Sequence, residues 1–137
     1  MLVDIFRNQH LFAERDAMKG ILRVTRTASE FLEIADVEAS YLALFRILDR
    51  TQRSAFSLVV DLRSSPGRSD PMFEEAMGAV RPQLFRGFRR CGVIVRSASG
   101  VRQVSQHTKQ AGFSVLVGNS EADILLYVSE GKFDRLD

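Results

Sequence analysis

The sequence is poor in the residues that build covalent or metal-held frameworks. Cys91 is its only cysteine, which excludes an internal disulfide, and His10 and His107 are its only histidines, which leaves no metal-ligand spacing. No metal and no cofactor is expected. No run approaches the ~18 apolar residues of a membrane helix, and the start MLVDIFRNQH lacks the basic segment and apolar core of a signal peptide. These absences predict a cytoplasmic protein in a reducing setting, without a membrane span. Lysine is scarce as well, and apart from Lys19, Lys109 and Lys132 every basic residue is arginine. That preference reads first as genomic base bias and second as phosphate recognition. The net charge of +2 is too small to imply a nucleic-acid partner.

What is present is ordinary globular material. The 137 residues, 45% hydrophobic and 26% charged, predict one α/β domain spanning 1–137, with no repeat, low-complexity tract or linker. Its organising stretch is AFSLVVDLRSSPGRSDPM, Ala55 to Met72. Phe56, Leu58, Val59, Val60 and Leu62 form the apolar, β-branched run of a strand covered on both faces, so the sheet is expected to be at least partly parallel. Asp61 marks the strand's carboxyl end. Ser64, Ser65, Gly67, Ser69 and Asp70 can turn or cap, and Pro71 suits the first position of a helix capped by Asp70. Loops at carboxyl ends of such strands are where α/β proteins meet ligands and partners.

Around this stretch the chain reads as β-β-α-β-α-β-α-β-α, a mixed sheet with an N-terminal hairpin. Leu11 to Ala17 and Ile21 to Thr27 flank Met18-Lys19-Gly20 as that hairpin, at one edge of the sheet. The first ten residues add a strand or merely lead in, and Ser29 to Ile34 shows no clear period. From Asp36, the expected cap, Val37, Tyr41, Leu44, Phe45 and Leu48 share one helical stripe. The helix from Pro71 carries Glu74 and Glu75 at its positive end, and Pro82 predicts a bend or a break. Cys91 to Val95 and Phe113 to Val117 are further strands. Between them, Arg96 to Gly100 leads into a helix that ends at Gly112. Ser120 with Asp123 resembles a capping box for the last helix, in which Ile124, Leu125, Tyr127 and Val128 cover the sheet and beyond which Lys132 to Asp137 should fray.

This order, with a polar loop ahead of the second helix and a weak last strand, resembles the STAS domain, the fold of bacterial anti-sigma factor antagonists, over roughly Leu11 to Val128. In that family the strand equivalent to Ala55 to Leu62 leads to an Asp-Ser-Ser-Gly-type motif, where a partner kinase phosphorylates a serine. Here the corresponding stretch is Arg68-Ser69-Asp70-Pro71, which keeps a serine and an acid but lacks the glycine and the paired serines. Asp70 stands nearest the modified serine, and Ser69 is the candidate phosphorylation site. The resemblance implies a non-enzymatic regulatory module that docks a protein partner, such as an anti-sigma-factor-like kinase, through loop 63–70 and the following helix. Arg63, Ser64, Ser65, Arg68, Ser69 and Asp70 are its candidate contact residues. The alternative is a module of the same fold holding a small molecule, a nucleotide or lipid.

Bland readings stand beside these. Turn and cap chemistry explains the loop's serines and Asp70, although it explains Arg63 and Arg68 less well, and two arginines beside a helix amino terminus suit phosphate. Ser99-Gly100 is far short of a phosphate-binding fingerprint. Arg81, Arg86, Arg89 and Arg90 interleave with Phe85 and Phe88, as in some RNA-binding surfaces, yet a helix exit with Phe85 buried and the arginines solvated explains them at lower cost, so no nucleic-acid partner is expected. Cys91 and His107 read as packed residues, and no Gly-x-Ser-x-Gly elbow supports a serine nucleophile. No enzyme is expected.

Overall fold

The computed structural model describes residues 2–68, 70–110 and 114–131, without the side chains of residues 103 and 106–110. Ser69, Gly112, Phe113, the segment Lys132 to Asp137 and the side chain of His107 therefore lie outside the described residues.

Six strands form one mixed sheet in sequential order: β1 (Val3–Arg7), β2 (Leu11–Asp16), β3 (Ile21–Arg26), β4 (Ser57–Asp61), β5 (Cys91–Ile94) and β6 (Val115–Gly118). The β1–β2 and β2–β3 pairs are antiparallel, while β3 to β6 run parallel. The helices are α1 (Ile34–Leu48), α2 (Pro71–Phe85), α3 (Ala98–Gln110) and α4 (Glu121–Glu130). The expected hairpin is β2–β3, with Gly20 in the left-handed region at its turn (φ 67°). It does not form the sheet edge, because β1 pairs outside it. β1 was hard to read because a bulge between Asp4 and Phe6 interrupts its alternation and Val3, Asp4 and Arg7 are exposed.

The α1 stripe is buried as the spacing predicts, but the helix begins two residues before Asp36, with Glu33 as an N-cap that makes no side-chain bond. Asp70 does cap α2, its carboxylate accepting from the Phe73 N–H at 3.3 Å. α2 runs unbroken through Pro82. The carbonyl of Gly78, to which Pro82 has no N–H to donate, belongs to an exposed turn where solvent can take its place.

Successive parallel strands added in one direction by crossovers of one hand place α1, α2 and α3 on the same face of the sheet. The larger core lies there, with Leu22, Val24, Leu58, Val60 and Val93 against the α1 stripe and the inner side of α2. β4 is buried along its whole length, so its other face needs a cover as well. α4 supplies it, closing Ile124 and Val128 over Ile21, Val59 and Ile94. The approach depends on Gly92, where an added Cβ would sit 2.6 Å from Ile124 Cγ2 and 3.1 Å from Val128 Cγ1. Gly92→Ala is expected to destabilise the fold by about 1–3 kcal/mol through overpacking. Gly67→Ala, with nothing within 4 Å of the new atom, should leave stability nearly unchanged. Urea denaturation of the two variants checks this contrast.

Candidate functional site

The strand order never reverses between β3 and β6, so the sheet has no switch-point crevice at its carboxyl edge. A cleft forms there by another route. α2 packs against α1, whereas α3 leans on β6, and the gap between α2 and α3 opens over the ends of β4 and β5. Its volume is about 290 Å³. Val60, Val93 and Val95 floor it, Phe73, Met77 and Leu84 wall it from α2, and Val104 closes the α3 side. Ser65, Pro66, Gly67 and Arg68 form its rim, so the loop singled out in the sequence roofs the cleft.

Four arginines (Arg26, Arg68, Arg81 and Arg96) and one acid, Glu74, line the cleft, so positive charge is in excess among its lining residues. Arg81 pairs with Glu74 at 3.2 Å, and Arg96 donates to the Ser65 carbonyl at 3.2 Å. Arg68 clasps Asp70 and donates to the Phe31 carbonyl at 3.0 Å, tying the loop to the segment before α1. The Arg68 hydrogen bond holds the Asp70 carboxyl below its ordinary value. Arg26 is the deepest of the four, only 4% exposed. It donates to the carbonyls of His10, Thr27 and Ser29 and stacks 4.4 Å from the Phe31 ring. Tyr41 lies beside it, where burial raises the phenol pKa and the charges of Arg26 and Arg81 act to lower it.

Of the sequence-predicted contact residues that are described, Arg63 is set apart from Ser65, Arg68 and Asp70. Ser64 is exposed, Ser65 reaches the cleft rim, and Arg68 with Asp70 forms a closed pair at the entrance of α2. Arg63 turns to the opposite face. There it bonds Asp61 and Glu121, at 2.8 and 2.7 Å, and both acids also bind Arg23, at 2.8 and 2.6 Å. This four-charge network joins β3, β4 and the first turn of α4, and it leaves Arg63 no part in a phosphate site with Arg68.

The basic run after α2 also disperses: Arg86 meets Asp49, Arg89 donates to the Ala55 carbonyl, and Arg90 donates to the Val128 carbonyl. At the start of α3, Ser97 Oγ accepts from the Gly100 N–H at 3.1 Å and pairs with Ser99 Oγ, so the helix end is self-capped. Cys91 is buried, and burial pushes its thiol up to about 12, far from a thiolate at neutral pH. Among the described residues no group of three or more His, Cys, Asp or Glu is placed to hold a metal ion, and no helix is long and apolar enough to cross a membrane.

Sequence reasoning missed Arg26, the Arg23–Asp61–Arg63–Glu121 network and Arg53. Arg53 is buried in a 3-10 turn (Arg53–Ala55), where it donates to the carbonyls of Gln83, Leu84 and Arg86 and so caps the end of α2. Arg26 left a signal, since Leu22, Val24 and Arg26 recur at period two and place a charge on the inward face. No family model, curated protein or solved structure matches the chain.

The network sets an acid limit on stability. Burial alone would push the Asp61 carboxyl up, but the bonds from Arg63 and Arg23 outweigh it and hold it at about 2, against 3.8 ordinarily. A depressed carboxyl stabilises the fold fully above its unfolded value and loses that contribution as pH falls toward the folded one. Between pH 5 and pH 2 the native chain is expected to lose about 2 kcal/mol that Asp61→Asn, already lower at pH 7, does not lose. Denaturant titrations of both proteins across that range measure the difference.

Proposed function

We propose that this protein is a non-enzymatic binding module that holds a small molecule in the cleft between α2 and α3. The observation that carries the reading is the cleft itself: apolar strand ends for a floor, a charged rim, and a loop across its mouth. Small-molecule sites have this combination of apolar lining and a few convergent polar groups, and about 290 Å³ is at the small end of their range. The groups lining it bind and orient. Its serine hydroxyls at 97 and 99 pair with each other, and its acid is paired with arginine. A dinucleotide or nucleoside triphosphate is disfavoured by the size and by the self-capped start of α3.

The test uses isotope-labelled methionine methyl groups and a set of acids, amides, alcohols and amines of about 8 to 15 non-hydrogen atoms, a range set by the cleft volume. Binders are expected to shift Met77, which lines the cleft, and to leave Met18, 93% exposed at the β2–β3 turn, unmoved. A set in which no compound moves Met77 selectively contradicts the reading.

A second reading keeps the STAS-like role, docking of a protein partner on loop 63–70 and α2. It is favoured by two large apolar side chains left in solvent: Leu32, 83% exposed, in the segment that Arg68 ties down before α1, and Met72, 63% exposed, in the first turn of α2. A partner recovered from host extract on the tagged protein should then be lost with Arg68→Ala combined with Met72→Ser. Retention by that double variant places the contact elsewhere.

A further inference from the structure

We propose that the ligand of this cleft is a small organic carboxylate whose head group meets Arg26 and Tyr41 and whose apolar body lies along Val60, Val93 and Met77. The inference rests on the ligand-binding reading above and adds the chemical class.

It begins with the state of Arg26. A guanidinium stays charged at any pH the protein meets, and burial of a charge without a counter-charge is costly. Every other arginine lining the cleft is either paired with an acid, as Arg68 and Arg81 are, or exposed, as Arg96 is. Arg26 is buried, and among the described residues no carboxylate forms an ion pair with it. Its three bonds go to neutral carbonyls, which leaves two of its five N–H groups for another acceptor.

Tyr41 adds a donor. Burial keeps its phenol protonated, and the phenol sits within the field of Arg26 and Arg81. A carboxylate accepts from a guanidinium and a phenol together and supplies the single negative charge that the site lacks. A phosphate brings nearly two charges and usually meets a row of free backbone N–H groups. At the start of α3, the N–H of Gly100, a residue that lines the cleft, is taken by Ser97. The rest of the wall is valine, leucine, methionine and phenylalanine, which suits an apolar body. A cleft of about 290 Å³ has room for a short chain or one ring with a tether.

The experiment compares 4-phenylbutyrate with 4-phenylbutanamide and 4-phenylbutylamine, one apolar body of about twelve non-hydrogen atoms with three heads. Each is titrated into the full chain at pH 7 and followed at the Met77 methyl. The acid is expected to bind at least about tenfold tighter than the amide, with the amine weakest. Arg26→Gln should reduce the acid to the amide's affinity, and Arg26→Lys should retain part of the preference. Should Arg26→Gln not fold, Tyr41→Phe gives the same reading on a milder change: several-fold weaker acid binding, with the amide unchanged. Equal affinity for acid and amide in the native chain overturns the carboxylate assignment while leaving a ligand-binding cleft in place. An acid preference that survives both variants overturns the placement of the head group. No binding of any of the three, together with an unmoved Met77 across the wider compound set, removes the cleft reading itself.

Discussion

The constraint on which this structure depends is that β4 must be covered on both faces while the crossovers that build the sheet deliver helices to only one. With three helices on one side, the ten residues of α4 close the other. So short a helix contributes little stability of its own and gains its place from contacts. Ile124 and Val128 fit because residue 92 has no side chain, and Ser57 Oγ donates to the Val128 carbonyl from beneath. At the opposite end of the helix, Glu121 is gripped by arginines from β3 and from the loop after β4. The charge network is therefore a fastening for α4, set at the same sheet edge as the cleft but on the other side.

That division assigns opposite tasks to the two sides of one strand end. Asp61 points toward α4, where Arg23, Arg63 and Glu121 match both signs of charge. Val60 and Leu62 point toward the helical layer, where the cleft has positive charge in excess. Arg26 and Arg53 show two outcomes for a buried guanidinium on that layer. Arg53 meets the carbonyl end of α2 and a carboxylate, Asp49, and stacks on Phe88. Arg26 meets carbonyls and an aromatic face alone. Arg53 has a carboxylate partner, Arg26 has none among the described residues, and Arg26 lines the cleft.

Much of the architecture was legible because it rests on local signals. The apolar run at β4, the Asp70-Pro71 entrance to α2, the stripe of α1 and the Ser120 cap of α4 each follow from residues within one turn or strand of each other. Features joining distant segments were not legible. Glu121 and Arg23 are separated by 98 positions, and nothing in either neighbourhood names the other. Loop 63–70 was found as a place, but its internal pairing was not, since the same arginines and acid serve a docking surface or a closed clasp with equal ease. The cleft was hidden for a different reason: it exists because α2 and α3 diverge, a property of packing that no residue pattern encodes.

The sheet's two edges carry a consequence for the behaviour of the chain in crowded solution. A long, flat outer strand invites another molecule to add a strand of its own, which is how folded proteins begin to aggregate. Here the β1 side is interrupted by its bulge and flanked by Asp4 and Arg7, and the β6 side offers only four residues. Neither edge is a good template for self-association. The irregularity that hid β1 from the sequence is thus also a safeguard, and a change that straightened it would expose the protein to polymerisation through its own sheet.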